Sequence, residues 1–261
     1  MLLLVVESAT DTAAVALADE SGALGSLVVA RGRRHTETIA PAIEALCHRT
    51  GVALSDLDIL GVDVGPGLFT GLRVGVGTVK ALAFALDIPV VTATSLEVLA
   101  HALAGSGAVE GRLLVPVVDA RRGEVFSASF RSGPVGATAV GATAVGADPA
   151  TPEALSTLEV VSTPEALAED LAGRGEPLLL AGDGALRYGS LLGAVPGVTL
   201  AGAAFATPPV GALAELCVAR GRAGLVHDGA EVMPRYLRDA DARINWRQRT
   251  APRVAATGAG A

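Results

Sequence analysis

Five glycines, Gly65, Gly67, Gly71, Gly75 and Gly77, fall within the stretch VGPGLFTGLRVGVGTVKA at residues 64–81. The first two lie in a turn after an apolar run; the last three interrupt a helical pattern that spans residues 70–86. Each glycine inside a helix costs about 1 kcal/mol relative to alanine, so such a helix forms only where packing compensates. Gly71 and Gly75 share one helix face, along which another backbone can approach closely. That backbone belongs either to this chain's own sheet or to a partner, and the spacing fits both.

The turn itself joins a strand's end to a helix N-terminus, where free amides and the helix dipole hold anions. Gly65 and Gly67, with Asp11 after the first strand, are therefore the candidate cofactor-binding residues, and Thr70 reads as the N-cap. The known phosphate motifs fail here. A P-loop lysine directly follows the last glycine, whereas Gly77 is followed by Thr78-Val79-Lys80. A dinucleotide fingerprint fails because Leu68-Phe69-Thr70 separates Gly67 from Gly71.

Around this segment the apolar pattern alternates in a defined order. Strands at 2–6, 10–19 and 23–31 form a meander, and HTETIAPAIEALCHRTG follows as a helix with Ile39, Ala42, Ile43, Leu46 and Cys47 at helical spacing. A strand at 58–64, the glycine helix, a strand at 88–93 and a helix in TSLEVLAHAL complete the unit. Thr94 and Glu97 there form a capping box. After the linker GSGAVEG at 105–111 the pattern restarts: strands at 113–120 and 124–131 about the turn Arg121-Arg122-Gly123, helices PEALAEDLAG and ALRYGSLLG, strands PLLLAGDG and VTLAG. A last helix, Pro209 to Arg222, is placed to cross back onto the first unit.

The expected fold is α/β with two RNase H-like subdomains and mixed sheets. The N-terminal subdomain takes residues 1–104 and the C-terminal one 105–230, with a low-complexity insertion at 133–150 built on the VGATA repeat. Residues 231–261 form a tail read as partly disordered.

With 51% hydrophobic residues the chain can fill a core, and its net charge of −7 argues against wrapping nucleic acid unaided. Arginines concentrate locally, at Arg31, Arg33 and Arg34 and again from Arg235 through Arg253. Cys47 and Cys217 read as small buried hydrophobes. His35, His48, His101 and His227 lack the paired spacing of a metal site, and no nucleophile elbow appears. Asp11 and Asp119 at strand ends are possible general bases but also ordinary turn formers. No apolar run approaches the roughly 20 residues of a membrane span, so a cytoplasmic protein is expected.

The blocks ESATDTAAVAL, RHTETIAPAIEAL, VGPGLFTGLRVGVGTVKALA, TATSLEVLA and MPRYLRDA together resemble the TsaB (YeaZ) family, strongly over residues 1–131 and more weakly to PRYLR. That family serves the synthesis of N6-threonylcarbamoyladenosine (t6A) in tRNA and is paralogous to the catalytic TsaD. The resemblance implies an ASKHA (actin-like ATPase) fold and a non-catalytic subunit that pairs with TsaD, works with the ATPase TsaE on tRNA, and can homodimerise when TsaD is absent. It implies no cofactor or metal of its own, with ATP and metal on the partner subunits. Ser95 and Leu99 stand where TsaD carries a metal-binding histidine pair, and Glu7 replaces an aspartate frequent in TsaB. The implied partner interface lies on the first two helices: His35, Thr36, Ile39, Ile43, Leu46, Thr70, Arg73, Val74 and Gly77. The alternative is a free-standing ASKHA-type ATP-binding enzyme or glycoprotease.

Overall fold

The computed structural model describes residues 1–30, 34–107, 111–131, 153–154 and 159–237. The arginines Arg31 and Arg33, the whole insertion at 133–150 and the tail from 238 onward lie outside the described residues.

Strands β1 (Leu3–Glu7), β2 (Ala13–Asp19) and β3 (Gly22–Val29) form the expected antiparallel meander. β1 and β2 are buried along their length, which is why they read as continuous apolar runs rather than alternating ones. Helix α1 (His35–Thr50) stops on Gly51, which adopts the left-handed conformation at φ 70°. Then come β4 (Ile59–Asp63), α2 (Phe69–Leu86), β5 (Val90–Ala93) and α3 (Ser95–Gly105). The sheet order is β3-β2-β1-β4-β5, with β1, β4 and β5 parallel.

The second unit repeats this plan. It runs through β6 (Leu113–Arg121), β7 (Glu124–Ser127), β8 (Phe130–Arg131), β9 (Glu153–Ala154), β10 (Val160–Ser162), α4 (Pro164–Ala172), β11 (Leu178–Ala181), α5 (Asp183–Arg187), α6 (Gly189–Leu192) and β12 (Val198–Leu200). The order β10-β7-β6-β11-β12 again places an antiparallel trio beside two parallel strands, with β8 and β9 added at the side. This is the ASKHA plan of two RNase H-like halves. β9 and β10 have no counterpart in the sequence reading, and two expected elements differ from it. The strand at 124–131 is interrupted between β7 and β8, and the helix ALRYGSLLG breaks at Tyr188 into α5 and α6, which drops Leu192 into the core.

Helix α7 (Val210–Arg222) falls within the 105–230 span, yet it packs on the first sheet, as its crossing position suggested. Leu213, Leu216 and Cys217 meet Leu3, Val5 and Val91 on one face of that sheet. α1 and α2 cover the opposite face, with Ile39, Ile43 and Leu46 against Val15, Leu17, Val76 and Val79. α3 is the wall between the units, since Leu96, Leu99, Ala100 and Leu103 pack against Leu114, Val118 and Leu179 of the second sheet.

The capping box is present as read: the Glu97 amide donates to Thr94 Oγ1 at 3.2 Å and the Thr94 amide to Glu97 Oε2 at 2.7 Å. Sequence spacing did not reveal that Glu97 also pairs with Arg220 of α7 at 2.8 Å. Burial opposes ionisation of Glu97, but the Arg220 guanidinium outweighs it and holds the carboxyl below the usual glutamate range.

The cysteines differ more than their sequence contexts suggest. Cys217 is fully buried, and that burial pushes its thiol up to about 12, whereas Cys47 is half-buried with a smaller rise from the same cause. Because the thiolate is the reactive form, iodoacetamide labelling followed by mass spectrometry should modify Cys47 in the native protein and reach Cys217 only on unfolding. Equal native labelling would contradict this burial.

Candidate functional site

The loop after β4 is built around its own contacts. The Gly65 amide donates to Asp63 Oδ1 at 2.7 Å, the Leu68 amide to the Ala9 carbonyl at 2.7 Å, and the Ser95 amide to the Gly65 carbonyl at 3.0 Å. A methyl group on Gly67 would strike the Ala9 backbone, and Gly65 sits at φ 101°, where only glycine is comfortable. The glycines thus let this loop fold onto the loop after β1, and two of its amides are spent within the chain, Leu68 on Ala9 of that loop and Gly65 on Asp63. Thr70 is not the N-cap: α2 begins one residue earlier, at Phe69, and its cap is Leu68, with no side-chain hydrogen bond.

Beneath the loops lies a pair of buried acids, Glu7 at the end of β1 and Asp63 at the end of the adjacent parallel β4. Ala9 donates to Glu7 Oε1 at 2.8 Å, and Ser95 Oγ donates to Asp63 Oδ1 at 2.8 Å. Glu7 Oε2 and Asp63 Oδ2 are left buried without a hydrogen-bond partner, and the two carboxyls lie close enough for each to act on the other's ionisation. Burial first, then the Asp63 charge, pushes Glu7 well above the glutamate range. Burial also raises Asp63, against the influence of Glu7 and the hydrogen bonds from Gly65 and Ser95, which favour its charge.

Asp11 belongs to a different cluster. Arg121, at φ 63° in the β6–β7 turn, reaches Asp11 of the first unit at 3.2 Å and buried Asp119 of the second at 3.1 Å. Arg187 also meets Asp119, at 2.9 Å, and the Asp119 amide donates to Asp183 at 2.8 Å. An arginine therefore spans the cleft between the two units and ties both strand-end aspartates. Neither aspartate stands as an isolated base.

Ser95 and Leu99, which the resemblance sets against the TsaD histidine pair, are absorbed by packing. Ser95 is fully buried on Asp63, and Leu99 is fully buried against the second sheet.

On the first two helices the implied contact residues divide. His35, Ile39, Ile43 and Leu46 are buried in this chain's own core, with His35 Nε2 2.9 Å from the Thr10 carbonyl, so they are withdrawn from any partner contact. The resemblance implied these residues as contacts, but their helical spacing is that of the core face. Thr36, Thr70, Arg73 and Gly77 are exposed, and Val74 is half-buried. Gly71 and Gly75 face inward: a methyl on the first would collide with the Ser8 carbonyl and on the second with the Ser8 hydroxyl, whereas one on Gly77 meets nothing within 4 Å. Sequence reasoning missed Phe84, 91% exposed on the outer face of α2. Its signal was phase, since 84 falls outside the buried series Leu72, Val76, Val79 and Ala83.

The match to known proteins agrees with this architecture. The family model described as TsaD, tRNA N6-adenosine threonylcarbamoyltransferase, matches residues 28–185. Proteins named tRNA threonylcarbamoyladenosine biosynthesis protein TsaB are 33% identical over 131 residues in Bacillus subtilis strain 168 and 31% identical over 132 in Escherichia coli K12. A crystal structure from Pseudomonas aeruginosa, described as similar to peptidase YEAZ, superposes with TM-score 0.73 at 26% identity, covering 91% of this chain and 99% of that one. The chain belongs to the TsaB (YeaZ) family. The two TsaB alignments take in 50% of this chain and only 56% and 55% of those relatives, so the chain spans about half the length of the curated relatives it matches.

Proposed function

We propose that this chain is a non-catalytic subunit of tRNA t6A biosynthesis, acting in the cytoplasm, that docks a TsaD-type transferase through α2 and the exposed edge of α1. The names of its relatives supply the pathway. One observation carries the docking: α2 has 18 residues at mean hydropathy 1.3, enough to span a bilayer by length and composition, yet only a third of it is buried in this chain. Its inner face packs on the first sheet, so the outer face, from Thr70 and Arg73 through Gly77 to Phe84, is apolar surface that a monomer has no use for. Gly77 costs helix stability without any contact inside the chain, and a partner helix approaching closely there explains it.

In this reading the chain shapes its partner and leaves threonylcarbamoyl transfer, ATP and metal to TsaD and TsaE. Without TsaD, the same face serves a homodimer. The Arg121 span between Asp11 and Asp119 supports a cleft held by its own side chains rather than one set for turnover.

The test is co-purification with the TsaD protein of the same organism. Wild type should elute with it as one species and support tRNA modification in a reconstituted system, and Gly77→Glu should elute separately and fail. Full modification without this chain would overturn the proposal.

A further inference from the structure

We infer that Arg73, held by Phe69 and the C-terminal strap, reads a carboxylate on the docked partner helix, and that the strap forms part of the docking surface. This inference rests on the docking proposed above. The strap, residues 227–237, carries the MPRYL stretch, whose role the fold alone does not explain.

The strap is fastened along α2. His227 exchanges backbone hydrogen bonds with Val90, Lys80 Nζ donates to the Ala230 and Val232 carbonyls at 2.8 and 2.9 Å, and Val232 is buried in the core of the first unit. The Arg235 amide donates to Val64 at 2.7 Å while its guanidinium pairs with Glu159 at 2.7 Å. These ties leave Tyr236 40% exposed against Phe69 and Met233 67% exposed at Lys80, while Phe84 shares a groove with residues 226–230, so the apolar surface of α2 continues onto the strap.

Arg73 sits where the two meet. Its guanidinium carbon lies 3.9 Å from the Phe69 ring centroid, its Nε donates to Tyr236 Oη at 3.2 Å, and the two rings are 4.9 Å apart. Arg121, Arg187, Arg220 and Arg235 all have carboxylate partners, but among the described residues Arg73 has none. A guanidinium carries five N–H donors in a planar fork, and stacking on an aromatic ring fixes that fork before any ligand arrives. Aromatic residues and arginine at the centre of an apolar face are also the side chains that dominate binding energy at interfaces. The occupant that fits is an amphipathic helix of a TsaD-type partner, with an apolar stripe for Phe84 and Met233 and an aspartate or glutamate opposite Arg73.

Calorimetry of the full chain with the TsaD protein of the same organism, at low and high salt, tests this with Arg73→Gln, Tyr236→Ala and Gly77→Glu. Arg73→Gln should weaken binding about tenfold and reduce its salt dependence, with an unchanged melting temperature because Arg73 is exposed. Tyr236→Ala should weaken binding similarly, and Gly77→Glu should abolish it. Wild-type affinity in Arg73→Gln and Tyr236→Ala, with loss only in Gly77→Glu, overturns the inference and leaves the docking standing. Unaltered binding in all three, or none in wild type, overturns the docking itself. If Arg73→Gln weakens only self-association, the carboxylate belongs to a second copy of this chain and the inference is wrong.

Discussion

Gly71→Ala is expected to destabilise the folded chain by about 3 kcal/mol, whereas Gly77→Ala, six residues along the same helix, is expected to stabilise it by about 1 kcal/mol. The substitution is chemically identical at both sites. Alanine is the better helix former by about 1 kcal/mol, so propensity favours both changes. At Gly71 the added methyl would collide with the Ser8 backbone carbonyl and come within 3.3 Å of the His35 ring, itself fixed on Thr10. A backbone carbonyl cannot rotate aside as a side chain can. Relief requires α2 to lift from β1, loosening the bond from Ser8 Oγ to the Gly71 carbonyl, now 3.0 Å.

Gly75→Ala should fall between the two, because the colliding atom there is the Ser8 hydroxyl, which can turn away at the cost of that same bond. Urea denaturation of the three variants at constant m-value reads the series directly. A stabilising Gly71→Ala would mean that α2 does not seat on the Ser8 loop. A destabilising Gly77→Ala would mean that its outer face is covered within the monomer.

These glycines show what the sequence disclosed and what it withheld. Local signals were legible: the Thr94–Glu97 capping box, the Gly51 stop of α1, the meander and the repeated α/β order all depend on residues a few positions apart. The cost of glycine in a helix was legible too, but its explanation was not, since Gly71 and Gly77 look alike until the sheet is in place. Periodicity cannot distinguish a stripe that packs at home from one that packs abroad, so it offered no check on the interface role that the resemblance implied for Ile39, Ile43 and Leu46, which are buried. Arg121 reaches Asp11 from 110 positions away, and the Arg73–Tyr236 contact lies 163 residues apart. No window of sequence contains either.

Glu7→Gln is expected to remove a loss of stability that the wild-type chain suffers as pH rises. Glu7 and Asp63 are brought together only by the parallel pairing of β1 with β4, inside a site from which water is excluded. Two carboxylates cannot both be charged there at acceptable cost, so burial and mutual repulsion favour a folded pair that retains a proton. The folded-state value of Glu7 is raised above that of the unfolded chain, and the sign follows. Above about pH 4.5 an unfolded glutamate has lost its proton while the folded pair still holds one, so folding consumes a proton and becomes less favourable with each rise in pH. The slope approaches about 1.4 kcal/mol per pH unit until the folded group itself titrates, and the raised Asp63 acts in the same direction.

Glu97 and Glu215 are held below the usual range, so their contributions are complete above about pH 4.5 and are lost only on acidification below it. They do not mask the window. Glutamine in place of Glu7 keeps a donor toward Asp63 and an acceptor for the Ala9 amide, 2.8 Å away, without a proton to lose. Urea titrations upward from about pH 5 should therefore show wild type losing stability more steeply than Glu7→Gln, which keeps only the slope due to the raised Asp63, Glu159 and Asp183, so that the variant's advantage widens with pH. Parallel curves for the two proteins would mean that Glu7 is ionised in the folded chain, and that the proton retained beneath the glycine loop is not there.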